Sequence, residues 1–196
     1  MARPAGGGYQ LVIGYPAREA INFMKKSILV TGVSGAGKST ISKKLNELGY
    51  TAYDMDGLPG LFAIIDKKTG KLVVDHDNEN LEKVMGIDWI CNKEKLASII
   101  ASESSELTFY CGNASNMDEI MQLFNLVILL KIDSEVMRKR LTSRTENDFG
   151  RTAEVQDWLM TWKDWWENDM QQKGAIIVYA HGSLDQIANE LIEKSK

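Results

Sequence analysis

A short apolar segment at residues 28–30 runs directly into a glycine-rich turn, and a segment of helical spacing follows. The turn satisfies the pattern G-x-x-x-x-G-K-[ST] over residues 32–39. Its glycines let consecutive backbone N–H groups curve around an anion, Lys38 adds a positive charge, and the Ser39 hydroxyl can ligate Mg²⁺. Apolar residues at 41, 45 and 48 predict a helix whose N-terminal dipole points at that anion. The sequence therefore predicts a strand, a phosphate-binding turn and a helix.

Composition favours a single domain. The chain has 196 residues, 44% of them hydrophobic, which is enough for one buried core. A net charge of −4 argues against a general nucleic-acid or membrane surface, which would carry a basic excess. The two cysteines, Cys91 and Cys111, are too few for a disulfide framework. We expect buried free thiols and a cytoplasmic location.

Residues 1–23 differ from the rest of the chain. They are turn-rich at their start, and their apolar segment is too short for a signal peptide with a cleavage site. No apolar run approaches the roughly 18 residues that a membrane-spanning helix needs. We expect residues 1–23 to be a disordered extension or the result of a start codon assigned too early, and residues 24–196 to form one domain.

Strands and helices alternate after residue 24, which predicts an α/β fold with a mostly parallel, doubly wound sheet. The predicted strands are at 26–31, 49–53, 107–111, 126–132 and 175–179. The predicted helices are at 38–48, 78–86, 93–103, 117–124, 134–144, 153–171 and from 183 onward. A hairpin is predicted from 61–65 and 72–74 around a turn at 66–70. Ligands of such sheets bind beyond the carboxyl ends of the strands.

Two carboxylates follow the second predicted strand. Asp54 and Asp56 can hold Mg²⁺ or accept a proton from an attacking hydroxyl, although alternating aspartates also suit a plain turn. The third strand ends in residues 111–116, which contain no acidic residue. The absence of a carboxylate at this strand end favours Asp54 or Asp56 as the acid on the metal side.

Arginines concentrate on one predicted helix and just beyond it. Arg140 and Arg144 are one turn apart on the same face, Arg138 lies nearby, and Arg151 follows a short glycine-containing loop. Guanidinium groups so spaced can hold a phosphoryl group and neutralise its charge during transfer. The alternative is a solvated basic helix face.

The tryptophans at 158, 162, 165 and 166 have helical spacing, and we expect them to pack against the sheet. A substrate lid and a partner surface are the alternatives. His76 and His181 have no ligand cluster around them, so neither receives a role.

The pattern at residues 32–40, the Asp54-x-Asp56 tail, the arginines before a short loop and the segment at 180–187 together resemble the P-loop small-molecule kinases. That group includes the shikimate, gluconate and adenylate kinases. The resemblance implies a three-layer α/β/α P-loop NTPase fold with a five-stranded, mostly parallel sheet and a short lid at 145–152. It also implies ATP and Mg²⁺ as ligands, and transfer of a phosphoryl group to a small molecule.

Site residues follow from the resemblance one by one. Lys38, Asp54, Asp56 and Arg144 are the expected catalytic residues, and Ser39 and Asp54 the expected metal ligands. Arg140 matches the arginine over the adenine, with Ala180 and Gly182 in the loop beside the base. The expected nucleotide-binding residues of the turn are Gly32, Ser34, Gly35, Ala36, Gly37, Lys38, Ser39 and Thr40. Asp56, Gly112, Asn113 and Arg151 are expected on the acceptor side.

The segment at 57–92 matches no pattern of these kinases, and we treat it as an acceptor-side insertion. Residues 112–113 replace the Asp-Gly-x-Pro-Arg run of nucleoside monophosphate kinases. The leading hypothesis is therefore an ATP-dependent kinase, monomeric or homodimeric, whose partner is a small phosphoryl acceptor of unknown identity. A nucleotide-binding ATPase or regulatory module without kinase activity remains open. A GTPase would need an Asn-Lys-x-Asp motif, and the nearest segment of this chain, residues 92–95, reads NKEK. A nucleic-acid kinase would need a basic channel, which the acidic balance of the chain does not support.

Overall fold

The computed structural model describes residues 25–145 and 147–196. The predicted extension at residues 1–23 therefore lies outside the described residues. The strands are β1 (Lys26–Thr31), β2 (Thr51–Asp54), β3 (Phe62–Asp66), β4 (Ile87–Cys91), β5 (Leu107–Cys111), β6 (Leu126–Lys131) and β7 (Ile176–Tyr179). The helices are α1 (Lys38–Glu47), α2 (Leu81–Met85), α3 (Lys93–Ser102), α4 (Met117–Ile120), α5 (Ser134–Ser143), α6 (Ala153–Gln172) and α7 (Leu184–Ser195). Single 3₁₀ turns cover Met55–Gly57 and Met121–Leu123.

Five strands form one parallel sheet in the order β2-β5-β1-β6-β7. The central strand β1 is apolar throughout its middle because both faces of the sheet are covered. Ile28 and Val30 belong to a core with α1 and α7, whereas Leu29 belongs to a second core with α3 and α4. Successive residues of β1 thus point to opposite helical layers. The predicted three-layer α/β/α architecture is confirmed.

The predicted hairpin forms over a short stretch next to its turn. The Asp66 N–H donates to the Lys71 carbonyl at 2.9 Å and the Val73 N–H to the Ile64 carbonyl at 2.8 Å, on either side of the bridge between Ile65 and Leu72. β3 also pairs antiparallel with β4 along its whole length, which the sequence pattern does not predict. The turn at 66–70 does form, since the Asp66 carboxylate accepts hydrogen bonds from the Thr69 N–H at 2.7 Å and from its hydroxyl at 2.8 Å. The segment after that turn buries little apolar surface, since Leu72 is 63% and Val74 90% exposed. β4 provides the longer pairing with β3.

Helix α6 carries most of the tryptophans, and three of them support the prediction of packing. Trp158, Trp162 and Trp166 are half-buried against the core, in edge-to-face contact at 5.6 and 6.5 Å between ring centroids. The expectation is wrong for Trp165, which is 68% exposed. The i+4 repeat keeps the other three on one face, and Trp165 falls outside it.

No helix among the described residues combines the length and the apolar character that crossing a membrane requires. The two cysteines are free and buried, as expected.

Candidate functional site

The glycine-rich turn connects β1 to α1 at the carboxyl edge of the sheet. Gly37 precedes the helix with a φ of 100°, a left-handed conformation that favours glycine. No side chain caps the helix, and its first turn holds no acidic residue. The Ile41 N–H donates to the Gly37 carbonyl at 2.9 Å. The N–H groups of the helical residues before Ile41 have no carbonyl acceptor within the helix. The start of α1 therefore suits an anion.

Close packing fixes the turn from below. A Cβ atom on Gly32 would lie 2.7 Å from the Leu130 carbonyl oxygen and 3.0 Å from the Ala36 Cβ. Only glycine fits at this approach between the turn and β6. The glycine-rich turn that the sequence predicts is therefore present and closely packed.

Lys38 folds back over the turn. Its Nζ donates to the carbonyls of Gly32 at 2.8 Å and Val33 at 3.2 Å. Burial lowers the pKa of Lys38, the nearby Asp56 and Asp54 carboxylates oppose this change, and Arg144 adds to it. The other three residues that the sequence predicts as catalytic therefore lie within electrostatic range of Lys38.

The two aspartates occupy different environments. Asp54 ends β2 opposite Cys111 of β5, and its Oδ1 is buried with no hydrogen-bond partner among the described residues. Asp56 lies in the 3₁₀ turn and is exposed as a whole residue. Crowding of its carboxyl group by protein atoms nevertheless raises its pKa; Lys38 acts against this and Asp54 reinforces it. A carboxylate with a raised pKa is a better proton acceptor.

Arg140 connects two loops of the site. Its guanidinium donates to the carbonyls of Gly35 at 3.3 Å, Ala36 at 3.4 Å and Ala180 at 3.3 Å. It thus ties the glycine-rich turn to the loop after β7. Gly182 of that loop packs against Gln186, whose Oε1 would lie 2.8 Å from a Cβ atom there.

Arg144 reaches the turn with hydrogen-bonding capacity to spare. Its Nη1 donates to the Ser34 Oγ at 3.2 Å, while Nε and Nη2 are buried without a partner in the described part of the chain. Burial lowers the pKa of Arg144, and the charge of Arg151 lowers it further. Arg151 donates to the Thr145 carbonyl at 2.9 Å and also has a buried, unpartnered Nε. Two adjacent guanidinium groups with open donors favour an anion.

Arg138 does not join this cluster. It pairs with Asp157 at 2.6 Å on an exposed surface, where ion pairs contribute little to stability. The alternative of a solvated basic face therefore holds for this residue.

The tail of β5 supports the aspartates from beneath. Gly112 continues the pairing with β1 by donating to the Val30 carbonyl at 3.1 Å, and a Cβ atom on it would lie 2.8 Å from the Met55 Cβ. Met55 is fully buried between Asp54 and Asp56. Asn113 turns its Oδ1 to the N–H of Ala114 at 2.9 Å. Gly112 thus holds the aspartate turn, a contact that sequence analysis did not anticipate.

We expect Gly112→Ala to lower the free energy of unfolding by about 1–3 kcal/mol, because the new methyl group displaces Met55. Thermal unfolding measures this as a midpoint about 2–4 °C lower for each kcal/mol lost. Gly57→Ala is the matched control, since a Cβ atom there meets nothing within 4 Å. Equal midpoints for the two variants would contradict the close approach.

The donor set fits Mg²⁺ that arrives with a nucleotide. No group of three or more His, Cys, Asp or Glu residues in the described ranges forms a metal site. Mg²⁺ in nucleotide sites takes few protein ligands and obtains the rest from phosphates and water. Asp54, through its buried and unpartnered Oδ1, and Ser39, through its hydroxyl at the start of α1, would hold Mg²⁺.

Curated relatives match parts of the chain. A nucleotide-binding protein of Coprothermobacter proteolyticus is 46% identical over 54 residues, 26% of this chain and 19% of the relative. A nucleotide-binding protein of Thermosipho africanus is 29% identical over 133 residues, 60% of this chain and 46% of the relative. The match thus spans less than half the length of either relative.

Solved structures resemble the fold over most of its length. TT1252 from Thermus thermophilus has a TM-score of 0.55 at 16% identity, covering 87% of this chain and 96% of that chain. Deoxyadenosine kinase from M. mycoides with bound dATP has a TM-score of 0.51 at 15% identity, covering 86% and 98%. A gluconokinase from Sinorhizobium meliloti 1021 has a TM-score of 0.50 at 21% identity, covering 88% and 94%. At these identities the likeness establishes the fold alone.

The predicted resemblance to P-loop small-molecule kinases is confirmed at the level of fold. The model of one family, described as an AAA domain, matches residues 28–161. That match covers the glycine-rich turn, both aspartates and the arginine helix. The chain belongs to this AAA domain family.

Proposed function

We propose that the protein is an ATP-dependent phosphotransferase that moves the γ-phosphoryl group of ATP to a small metabolite. One observation carries this proposal: at the uncapped start of α1, Arg144 donates to Ser34 of the glycine-rich turn with two buried N–H donors left open, and the Asp54 and Asp56 carboxylates lie within electrostatic range of Lys38. A module that only binds nucleotide would need the turn and Lys38. The carboxylate of Asp56 and the open donors of Arg144 are additional, and they suit a transfer reaction.

Each residue has a chemical role in this proposal. The turn at 32–40 and Lys38 would hold the donor phosphates, while Ser39 and Asp54 would hold Mg²⁺, which would neutralise phosphate charge. Arg140, Ala180 and Gly182 lie on the side of the base. Arg144 has two open N–H groups that can stabilise the charge that develops on the transferred group.

The transfer is an in-line displacement. The acceptor hydroxyl oxygen forms a bond to the γ-phosphorus, and the bond from that phosphorus to the β–γ bridging oxygen breaks, so that ADP leaves. The hydroxyl proton passes to the Asp56 carboxylate, whose raised pKa suits this task. The acceptor lies on the side of residues 57–92, Gly112, Asn113 and Arg151.

A nucleotide-binding ATPase or regulatory module without kinase activity is the second candidate. The end of β5 favours it, because residues 111–113 supply no carboxylate beside the turn. The curated relatives are also named only as nucleotide-binding proteins.

An acceptor panel separates the two candidates. We expect one class of small hydroxyl-bearing or phosphorylated metabolites to stimulate ADP production from ATP in a coupled assay, with a new phosphoester visible by ³¹P NMR. Sugar acids, nucleosides, nucleotides and shikimate-like acids form the panel, each with and without Mg²⁺. ATP hydrolysis that no acceptor stimulates would support the ATPase module instead.

The setting of this reaction is also proposed. The protein acts in the cytoplasm, as a monomer or homodimer, on a free small molecule. Neither a nucleic acid nor a membrane is a partner in this proposal, since the net charge of −4 offers no basic surface to attract them.

A further inference from the structure

The chain between β3 and β4 passes from one face of the central sheet to the other and back. The two strands themselves lie on the face of the second core, where Cys91 is buried and Phe62 packs against it. Between them, Val84 of α2 is buried in the core with α1 and α7, together with Val155 of α6. Because the two cores lie on opposite faces of the sheet, the intervening residues must cross its edge. We call residues 71–86 the strap.

The strap crosses at the carboxyl edge, where the candidate site lies. On one side, β4 is fixed to the tail of β5, because Asn116 accepts from the Cys91 N–H and donates to the Cys91 carbonyl, both at 3.0 Å. On the other side, the Asn78 Nδ2 donates to the Asp148 Oδ1 at 2.8 Å, in the loop that follows α5. β5 and β6 both run parallel to β1 and therefore end at the same edge. The strap thus joins the acceptor side of the site to the loop that carries Arg151.

Glu79 of the strap contacts Arg151 directly. Its Oε1 lies 4.0 Å from the Arg151 Nη1, and its backbone carbonyl accepts from the Thr152 Oγ1 at 3.4 Å. Both charged side chains are partly exposed, so this long ion pair is weak. The Arg151 Nη2 donates to the Thr145 carbonyl, whereas its Nε is buried and has no partner within the described ranges. Arg151 therefore faces a carboxylate that satisfies it only in part.

We propose that the strap is a latch in which the Glu79 carboxylate holds Arg151 until an anionic group of the acceptor takes its place. The inference rests on the proposed function for the identity of that anion. A long, partly exposed ion pair costs little to break, whereas an incoming anion can also use the buried donor that Glu79 leaves open. Because both compete for one guanidinium, binding of the anion must weaken the hold of the strap on the loop.

Hydrogen exchange on the full chain tests the latch without turnover. Mass spectrometry follows the backbone amides of residues 77–85, and we expect Arg151→Gln to speed their exchange about two- to fivefold, because the ion pair with Glu79 is lost. Saturating inorganic phosphate should have the same effect on the wild-type protein. Arg138→Gln is the matched control, since Arg138 pairs with Asp157 instead. Unchanged exchange at 77–85 in Arg151→Gln, or an equal change in Arg138→Gln, would overturn the latch.

Competition tests the exchange of anions. Inorganic phosphate and acetate are titrated separately into protein saturated with Mg·ADP, which occupies the glycine-rich turn, and NMR follows the amide signals near Arg151. We expect Glu79→Gln to lower the Kd of the anion about two- to fivefold, because the competing carboxylate is gone. Arg151→Gln should raise that Kd at least about tenfold.

Asp157→Asn is the control for net charge, because it removes a carboxylate that pairs with Arg138. It should leave the Kd unchanged. An equal Kd in Glu79→Gln and wild type, an equal decrease in Asp157→Asn, or binding of neither anion would overturn the exchange. Failure of the proposed function differs from these results: Mg·ADP would not bind, or no acceptor would stimulate turnover. Hydrogen exchange at 77–85 would still decide the latch.

Discussion

Lys38→Met should reduce phosphoryl transfer at least about a hundredfold, the usual cost of losing one charged or hydrogen-bonding group at a developing charge. Lys38 already spans the turn through the Gly32 and Val33 carbonyls, so its ammonium stands where donor phosphates would lie. Methionine retains the length of the side chain and removes the charge. Steady-state turnover and binding of a fluorescent ATP analogue measure the two consequences, and both should fall.

The fold should survive this change. Burial lowers the pKa of Lys38, which means that its charge is poorly solvated in the folded protein and that its removal is tolerated. The two carbonyls lose a donor at about 1 kcal/mol each, so the unfolding midpoint should fall by about 4–8 °C while the protein stays folded at assay temperature. Lys139→Met is the matched control, since Lys139 is exposed on α5. Wild-type turnover in Lys38→Met, or the same loss in Lys139→Met, would contradict the role.

The central sheet was predictable because its signals are local and redundant. β1 and β6 are continuous apolar runs, and the glycine-rich turn determines that a helix follows β1. The spacing of Arg140 and Arg144 likewise predicts a shared helix face, and the structure brings both to the turn. Patterns of a few residues were sufficient in each case, because each segment has one favourable arrangement.

The pairing of β3 with β4 was not predictable, because it joins segments that the local pattern does not connect. The turn and the short pairing with residues 71–73 follow from neighbouring residues, whereas periodicity does not show that β4 also pairs with β3. Ser115 and Asn116 fix the backbone of β4 to the tail of β5. For the same reason the contact of Gly112 with Met55 was missed, since the tertiary fold brings these two residues together.

The two aspartates have different roles in the proposed reaction, since Asp56 accepts the proton and Asp54 holds Mg²⁺. Replacing Asp56 should therefore lower kcat most. We expect Asp56→Asn to lower kcat by about 10²–10⁴-fold, the usual contribution of a general base. The amide retains the size of the side chain but cannot accept the hydroxyl proton. Affinity for Mg·ATP, measured by calorimetry without acceptor, should change little, because the phosphates are held by the turn and Lys38.

Asp54→Asn should behave differently and thereby identifies the base. The Oδ1 of Asp54 is buried and unpartnered. Losing the negative charge of this carboxylate should raise the Mg²⁺ concentration needed for half-maximal rate, and excess Mg²⁺ should restore part of the activity. No Mg²⁺ concentration should rescue Asp56→Asn. Asp88→Asn is the control, because it removes a hairpin carboxylate that only forms a surface ion pair. It should leave kcat and the Mg²⁺ concentration for half-maximal rate unchanged. Rescue of Asp56→Asn by Mg²⁺ would exchange the two assignments, because the proton would then pass to Asp54 and the metal would belong to Asp56.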